Sequence, residues 1–161
     1  MYFWKTNLLV EELAKGPLEE NILKNYYLAT SILLSIAFYL ASITPPENLY
    51  LLTVETIGVL IVTIVGLNAA FAANGGNSGT RFLEKIVAIS FPLLIRMTAA
   101  AIALGLLWVF FCVALEVRIF HKLQLEWVSS ILFEWGTSIL IIVIQVVFYQ
   151  RLVTHVKNTN A

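Results

Sequence analysis

Glu55, Arg96 and Glu134 are ionisable side chains that fall within stretches otherwise suited to hydrocarbon. On insertion scales a charged side chain at the centre of a span costs roughly 2.5 to 3.5 kcal/mol, so each one asks for a partner or a role. Glu55 lies near the outer end of the second apolar stretch, and Glu134 lies a comparable way into the fourth from the same side. At about 1.5 Å of rise per residue, both sit roughly 5 to 10 Å below one interface, with Arg96 at a similar depth from the other. Two carboxylates held close raise one another's pKa and share a proton near neutrality, which is the chemistry of a cation or proton site. The bland alternative is that each glutamate reaches water or pairs with Arg118 and orders the helices. For Arg96 the choices are recognition of an anionic group, a buried structural pair, or a snorkelling side chain whose head reaches the phosphates.

Spacing gives these residues company. Ser130, Glu134, Ser138 and Gln145 follow one helical face, which is expected to point inward. Arg96 shares a face with Ala99, Ala100 and Ala103, small residues that let membrane helices approach, and Asn68 lies at about its depth. The expectation is a polar site in two layers: Glu55 with Glu134 outside, and Asn68, Arg96 and Gln145 inside, with Arg96 buried among helices.

Other chemistry finds little support. Cys112 stands alone, so no internal disulfide and no cysteine-based metal site is expected. Aspartate is absent, and His121 and His155 are expected on opposite sides of the membrane, where they cannot share a metal or haem. Gly75-Gly76-Asn77-Ser78-Gly79-Thr80-Arg81 lacks the Lys-Ser/Thr end of a phosphate-binding loop; it reads as a flexible lead into a helix capped by Ser78 or Thr80. No catalytic residue, cofactor or metal is therefore expected.

The elements that must position the polar residues follow from composition. Of 161 residues 60% are hydrophobic and 12% charged, against roughly 45–50% and about 25% in soluble domains. The mean hydropathy of +0.87 directs the surplus to lipid. Ten basic and ten acidic residues balance, so nothing points to nucleic acid. Four stretches suit spans of about 20 residues: 25–43, 51–73, 92–115 and 127–149. Thr44-Pro45-Pro46-Glu47 stops the first, and Pro92 is taken to divide a short interfacial helix over 80–91 from the third span. Residues 1–24 form an N-terminal segment in which Phe3, Trp4, Leu8, Leu9 and Leu13 recur near helical spacing, an amphipathic helix expected to lie on the membrane surface rather than a cleaved signal peptide. Residues 150–161 form a tail. Trp4, Tyr26, Tyr27, Tyr50, Trp127 and Tyr149 near span ends read as interfacial anchors.

Basic residues fix the expected orientation: Lys5, Lys15, Lys24, Arg81, Lys85, Arg151 and Lys157 on one side, against Arg118 and Lys122 on the other, place both termini in the cytoplasm of a bacterial inner membrane. The expectation is thus an all-α polytopic membrane protein, a four-helix transmembrane bundle with an N-terminal interfacial helix. Its partners are the lipid bilayer and either the protein subunits of a membrane complex or further copies of itself. Lacking a soluble domain, it reads as a non-enzymatic subunit or assembly component, with a small oligomeric transporter or channel as the alternative.

Overall fold

Gly16 and Pro17 terminate the first helix, α1 (Thr6–Lys15), and Asn48 opens the third by accepting a hydrogen bond from the Leu51 amide at 3.1 Å. Between them runs α2 (Glu20–Ile43); after them come α3 (Leu49–Ala73), a 3-10 turn at Gly76–Ser78, α4 (Phe82–Leu115) with a π-helical turn at Glu116–Phe120, and α5 (Glu126–Asn158). The computed structural model describes residues 2–43, 48–120 and 126–160, with side chains left out at 40–43, 119–120 and 126. No strand occurs among the described residues. The stop expected at 44–47, and the loop residues His121 and Lys122, lie outside them.

Three described helices are long and apolar enough to cross a membrane: Leu49–Ala73, Phe82–Arg118 and Trp127–Asn158. The chain is a multi-pass membrane protein. The 34 residues of α4 and 33 of α5 extend about 50 Å each, well beyond a hydrocarbon core of about 30 Å. Both helices therefore have ends left over outside the lipid, and the rest of the protein gathers there. The division expected at Pro92 is corrected: α4 runs unbroken through it. Proline forfeits one backbone bond, but membrane helices tolerate this when neighbours close around the site, and Pro92 is fully buried.

Helix α5 sits between α3 and α4. Along the seam with α3, Glu55 meets Ser138 and Thr63 meets Gln145, partners 83 and 82 residues apart. Gly58 against Ile142 and Gly66 against Tyr149 keep that offset, so α3 and α5 run parallel. The Gly66 backbone lies so close to the Tyr149 ring that any side chain there would collide with it. Helix α4 returns antiparallel on the other side of α5, with Trp108 pressed onto Gly136 in the same manner.

Buried side chains collect at one end. Leu9, Val10 and Leu13 of α1 join Ala88, Ile89 and Phe91 of α4 and Leu152 and Val156 of α5 in one cluster. Phe91 also takes the edges of Phe3 and Tyr26, with ring centroids at 5.5 and 6.0 Å. The anchor role expected of Tyr26 is corrected, because its ring is wholly inside this core and its hydroxyl accepts the Tyr2 amide at 2.6 Å. Phe3, Trp4 and Leu8 remain exposed.

Candidate functional site

Of the two polar layers, the outer is assembled and the inner is not. Glu55 and Glu134 line one cavity of about 270 Å³ between α3 and α5, together with Asn48, Thr137 and Ser138. The Ser138 hydroxyl donates to Glu55 Oε2 at 2.8 Å, and the Asn48 amide donates to Glu134 Oε2 at 3.3 Å. Each carboxylate thus has a neutral donor on the opposite helix. No basic side chain lies within ion-pair distance of either among the described residues; Arg118, offered as a bridge, is exposed on the π-helical turn. The parallel seam explains the arrangement: the face carrying Glu134, Ser138 and Gln145 is the face that α3 covers.

The inner layer of Asn68, Arg96 and Gln145 comes apart. Gln145 turns to α3, where its amide donates to Thr63 Oγ1 at 3.3 Å. Asn68 is exposed and returns its amide to the Ile64 carbonyl one turn back at 2.8 Å. Arg96, expected to be buried, is exposed, as are Ala99, Ala100 and Ala103. Its Nη1 lies 3.4 Å from Thr6 Oγ1 of α1, and its guanidinium shares a cavity with Asn7, Arg151 and His155. The long α4 carries Arg96 to the level where α1 packs, and there the side chain lines a cavity open to the surface beside Thr6.

A second polar cluster escaped the sequence reading. Lys85, counted only among the basic residues that set orientation, is 2% exposed. Its ammonium donates to Asn74 Oδ1 at 2.8 Å and to Asn160 Oδ1 at 2.5 Å. Asn160 in turn donates to the Ala73 carbonyl at 3.1 Å, and Asn74 to the Thr80 carbonyl at 3.2 Å. The C-terminal tail, the end of α3 and the start of α4 are therefore joined through one buried amine. Nothing local announces this; a lysine next to Glu84 reads as a surface residue, and Asn160 lies 75 positions away.

The glycine-rich loop belongs to the same construction. Neither Ser78 nor Thr80 caps α4: Ser78 Oγ donates to the Gly75 carbonyl at 2.8 Å, and the capping position is Arg81, held in the left-handed region at φ 56° and ψ 31°. That conformation is uncommon outside glycine. What holds it is the side chain: Nη2 reaches the Leu13 carbonyl at 3.2 Å, and Nη1 is 3.9 Å from Glu84 Oε1. The same Glu84 oxygen accepts the Leu18 amide at 2.7 Å. Arg81 and Glu84 thus tie the α1–α2 connection to the root of α4.

No group of three or more His, Cys or Glu side chains able to hold a metal occurs among the described residues. Cys112 is buried and free. The chain matches no protein-family model, no curated protein and no solved structure.

Proposed function

We propose that this chain is a non-enzymatic membrane subunit or assembly component whose spanning helices dock against other helices in the bilayer. In this reading α2 supplies a fourth span, α1 lies at the cytoplasmic interface and both termini are cytoplasmic, in keeping with the distribution of Lys and Arg. The observation that carries it is unspent helix surface. Only 11% of the most apolar stretch of α3, and 6% of those of α4 and α5, is buried inside the protein. The accessible surface is 10734 Å², where a compact monomer of 18.0 kDa would show about 8,000 Å². Lipid covers part of such a surface, but Ala99 and Ala103 form an exposed small-residue strip on α4 of the kind that admits a close neighbour. Mild solubilisation of native membranes tests the reading: foreign chains should co-purify in defined ratio, and Ala103→Leu should reduce their recovery. A monodisperse single chain carrying no other protein would overturn it.

One observation favours a second reading, transport. Glu55 and Glu134 share a cavity on a seam whose next polar contact, Thr63 with Gln145, lies about two turns further in. If the seam conducts, Glu55→Gln should abolish pH-dependent flux in reconstituted vesicles while the protein stays folded; unchanged flux, or none in the parent, removes it.

A further inference from the structure

We propose that the cavity between α4 and α5 beneath α1 is a binding site for an anionic phospholipid, with the phosphate held by Arg96 and Arg151 and an acyl chain laid along the groove between the two helices. The cavity measures about 500 Å³ and has two zones. Its head zone is formed by Arg96, Arg151, His155 and Asn7. Its tail zone is apolar, lined by Ala100 and Leu104 of α4 and by Leu140, Val143 and Val147 of α5. Each set falls on one helical face: 96, 100 and 104 step by fours, and 140, 143, 147, 151 and 155 by threes and fours.

Three features select this occupant. Two guanidinium groups, Arg96 and Arg151, line the cavity with no carboxylate beside them, and among the described residues the only ion pair is Arg81 with Glu84, elsewhere. Like charges drawn together without a counter-ion call for an anion, and at a membrane interface between helices the available anion is a lipid phosphate. Polarity also changes in the right direction. From His155 to Leu140 the groove runs about 22 Å along α5, from the basic end toward the bilayer centre, enough to exceed the roughly 15 Å depth of one leaflet. Finally, the groove does not end at Leu140: that residue and Val143 also line the next open hollow, beside Trp108 and Gly136, so the tail has somewhere to go.

The test uses the full chain in mild detergent, supplemented with phosphatidylglycerol, phosphatidylcholine of the same acyl chains, or inorganic phosphate. Native mass spectrometry reads the bound species and the melting temperature reads the stabilisation. Phosphatidylglycerol is expected to remain bound at one per chain and to raise the melting temperature more than the other two. With each basic residue contributing as at an anionic membrane surface, Arg96→Gln combined with Arg151→Gln should weaken retention about thirtyfold. Arg118→Gln, which removes an arginine from the π-helical turn beyond α4, should leave it unchanged. A second variant keeps every charge: Ala100→Phe fills the tail zone and should also lose the lipid. Equal stabilisation by phosphatidylcholine or by inorganic phosphate would overturn the proposal. So would an Ala100→Phe protein that binds phosphatidylglycerol as the parent does, since the arginines would then act as general surface charge. Foreign subunits are not involved in the readout, so the subunit role can fail while this site stands.

Discussion

Leu13 and Phe110 are both large apolar side chains on helices, yet Leu13 is 0% exposed and Phe110 is 72% exposed. The contrast divides the molecule. At the end where α1, the tail and the glycine-rich loop meet, apolar side chains turn inward, and polar ones such as Lys85 and Asn74 are buried with partners. Toward the other end, helices touch along narrow seams through Gly58 and Gly136 and spread their apolar side chains outward. Water sets the first pattern, because apolar surface beyond the hydrocarbon must be hidden from it. Lipid permits the second, since Leu and Phe lose little by facing acyl chains, and helices meet only where small residues allow contact. Stability should therefore reside at the first end and freedom to bind partners at the second.

Truncations matched across that divide should give the largest difference. Leu13→Ala removes a fully buried side chain and should cost about 3 kcal/mol, whereas Phe110→Ala should cost under about 0.5 kcal/mol. Thermal unfolding in detergent measures both. Equal losses would break the comparison; a Phe110→Ala protein that is stable alone but fails to assemble in native membranes would sharpen it.

Lys85→Met should come next, at about 2 kcal/mol, because it strands the carbonyl oxygens of Asn74 and Asn160. Limited proteolysis should then release the tail before the helices unfold. Asn160→Asp places a carboxylate beside the amine but loses the donor to the Ala73 carbonyl, so the two changes should largely offset, and in the Lys85→Met background only the loss should remain. A tail equally protected in the Lys85→Met protein would show that the amine does not hold it.

A smaller effect is expected at the outer cavity. Ser138→Ala removes the donor to Glu55 Oε2 and should cost about 1 kcal/mol. Ser130→Ala, whose hydroxyl donates to the Trp127 carbonyl of its own helix, should be close to silent. A silent Ser138→Ala would mean that water or an ion serves Glu55 in its place, which would favour transport.

How much of this was legible depends on which coordinate a residue needed. Depth can be counted along a chain, and the face of a single helix follows from its period, so the sequence alone is enough to bring Glu55 near the face of Glu134 and Ser138. Azimuth between helices cannot be counted in that way. Asn68 follows Gly66 by two residues, about 200° around the helix; Gly66 and Ala70 face α5, which turns Asn68 away. Arg96 was given the wrong surroundings for the same reason. Lys85 and Tyr26 were missed because partners from distant parts of the chain bury them, α1 above all, and no local pattern records that docking. Three of the spanning helices were plain, since about twenty apolar residues need no tertiary context to be recognised.

Trp108 carries the smallest expected effect and the finest test of the divide. Its ring fills the notch at Gly136, while its indole nitrogen is enclosed and has no hydrogen-bond partner among the described residues. An enclosed donor without an acceptor costs about 1 to 3 kcal/mol; at the other end Arg81 Nη1 shares this defect, whereas the Lys85 ammonium does not. Trp108→Phe removes that donor together with part of the ring, and the packing lost is of similar size and opposite sign. The net change in melting of the isolated protein should therefore be within about 0.5 kcal/mol of zero. Gly136→Ala serves as the control, since it leaves the nitrogen in place but forces the ring out of its notch, and it should destabilise. If Trp108→Phe instead loses as much as Gly136→Ala, the nitrogen has an acceptor in the isolated protein, and the loosely packed half is more tightly closed than its geometry indicates. If the substitution is silent in detergent yet reduces recovery of co-purifying chains from native membranes, the acceptor belongs to a partner, and the open half is open only until that partner arrives.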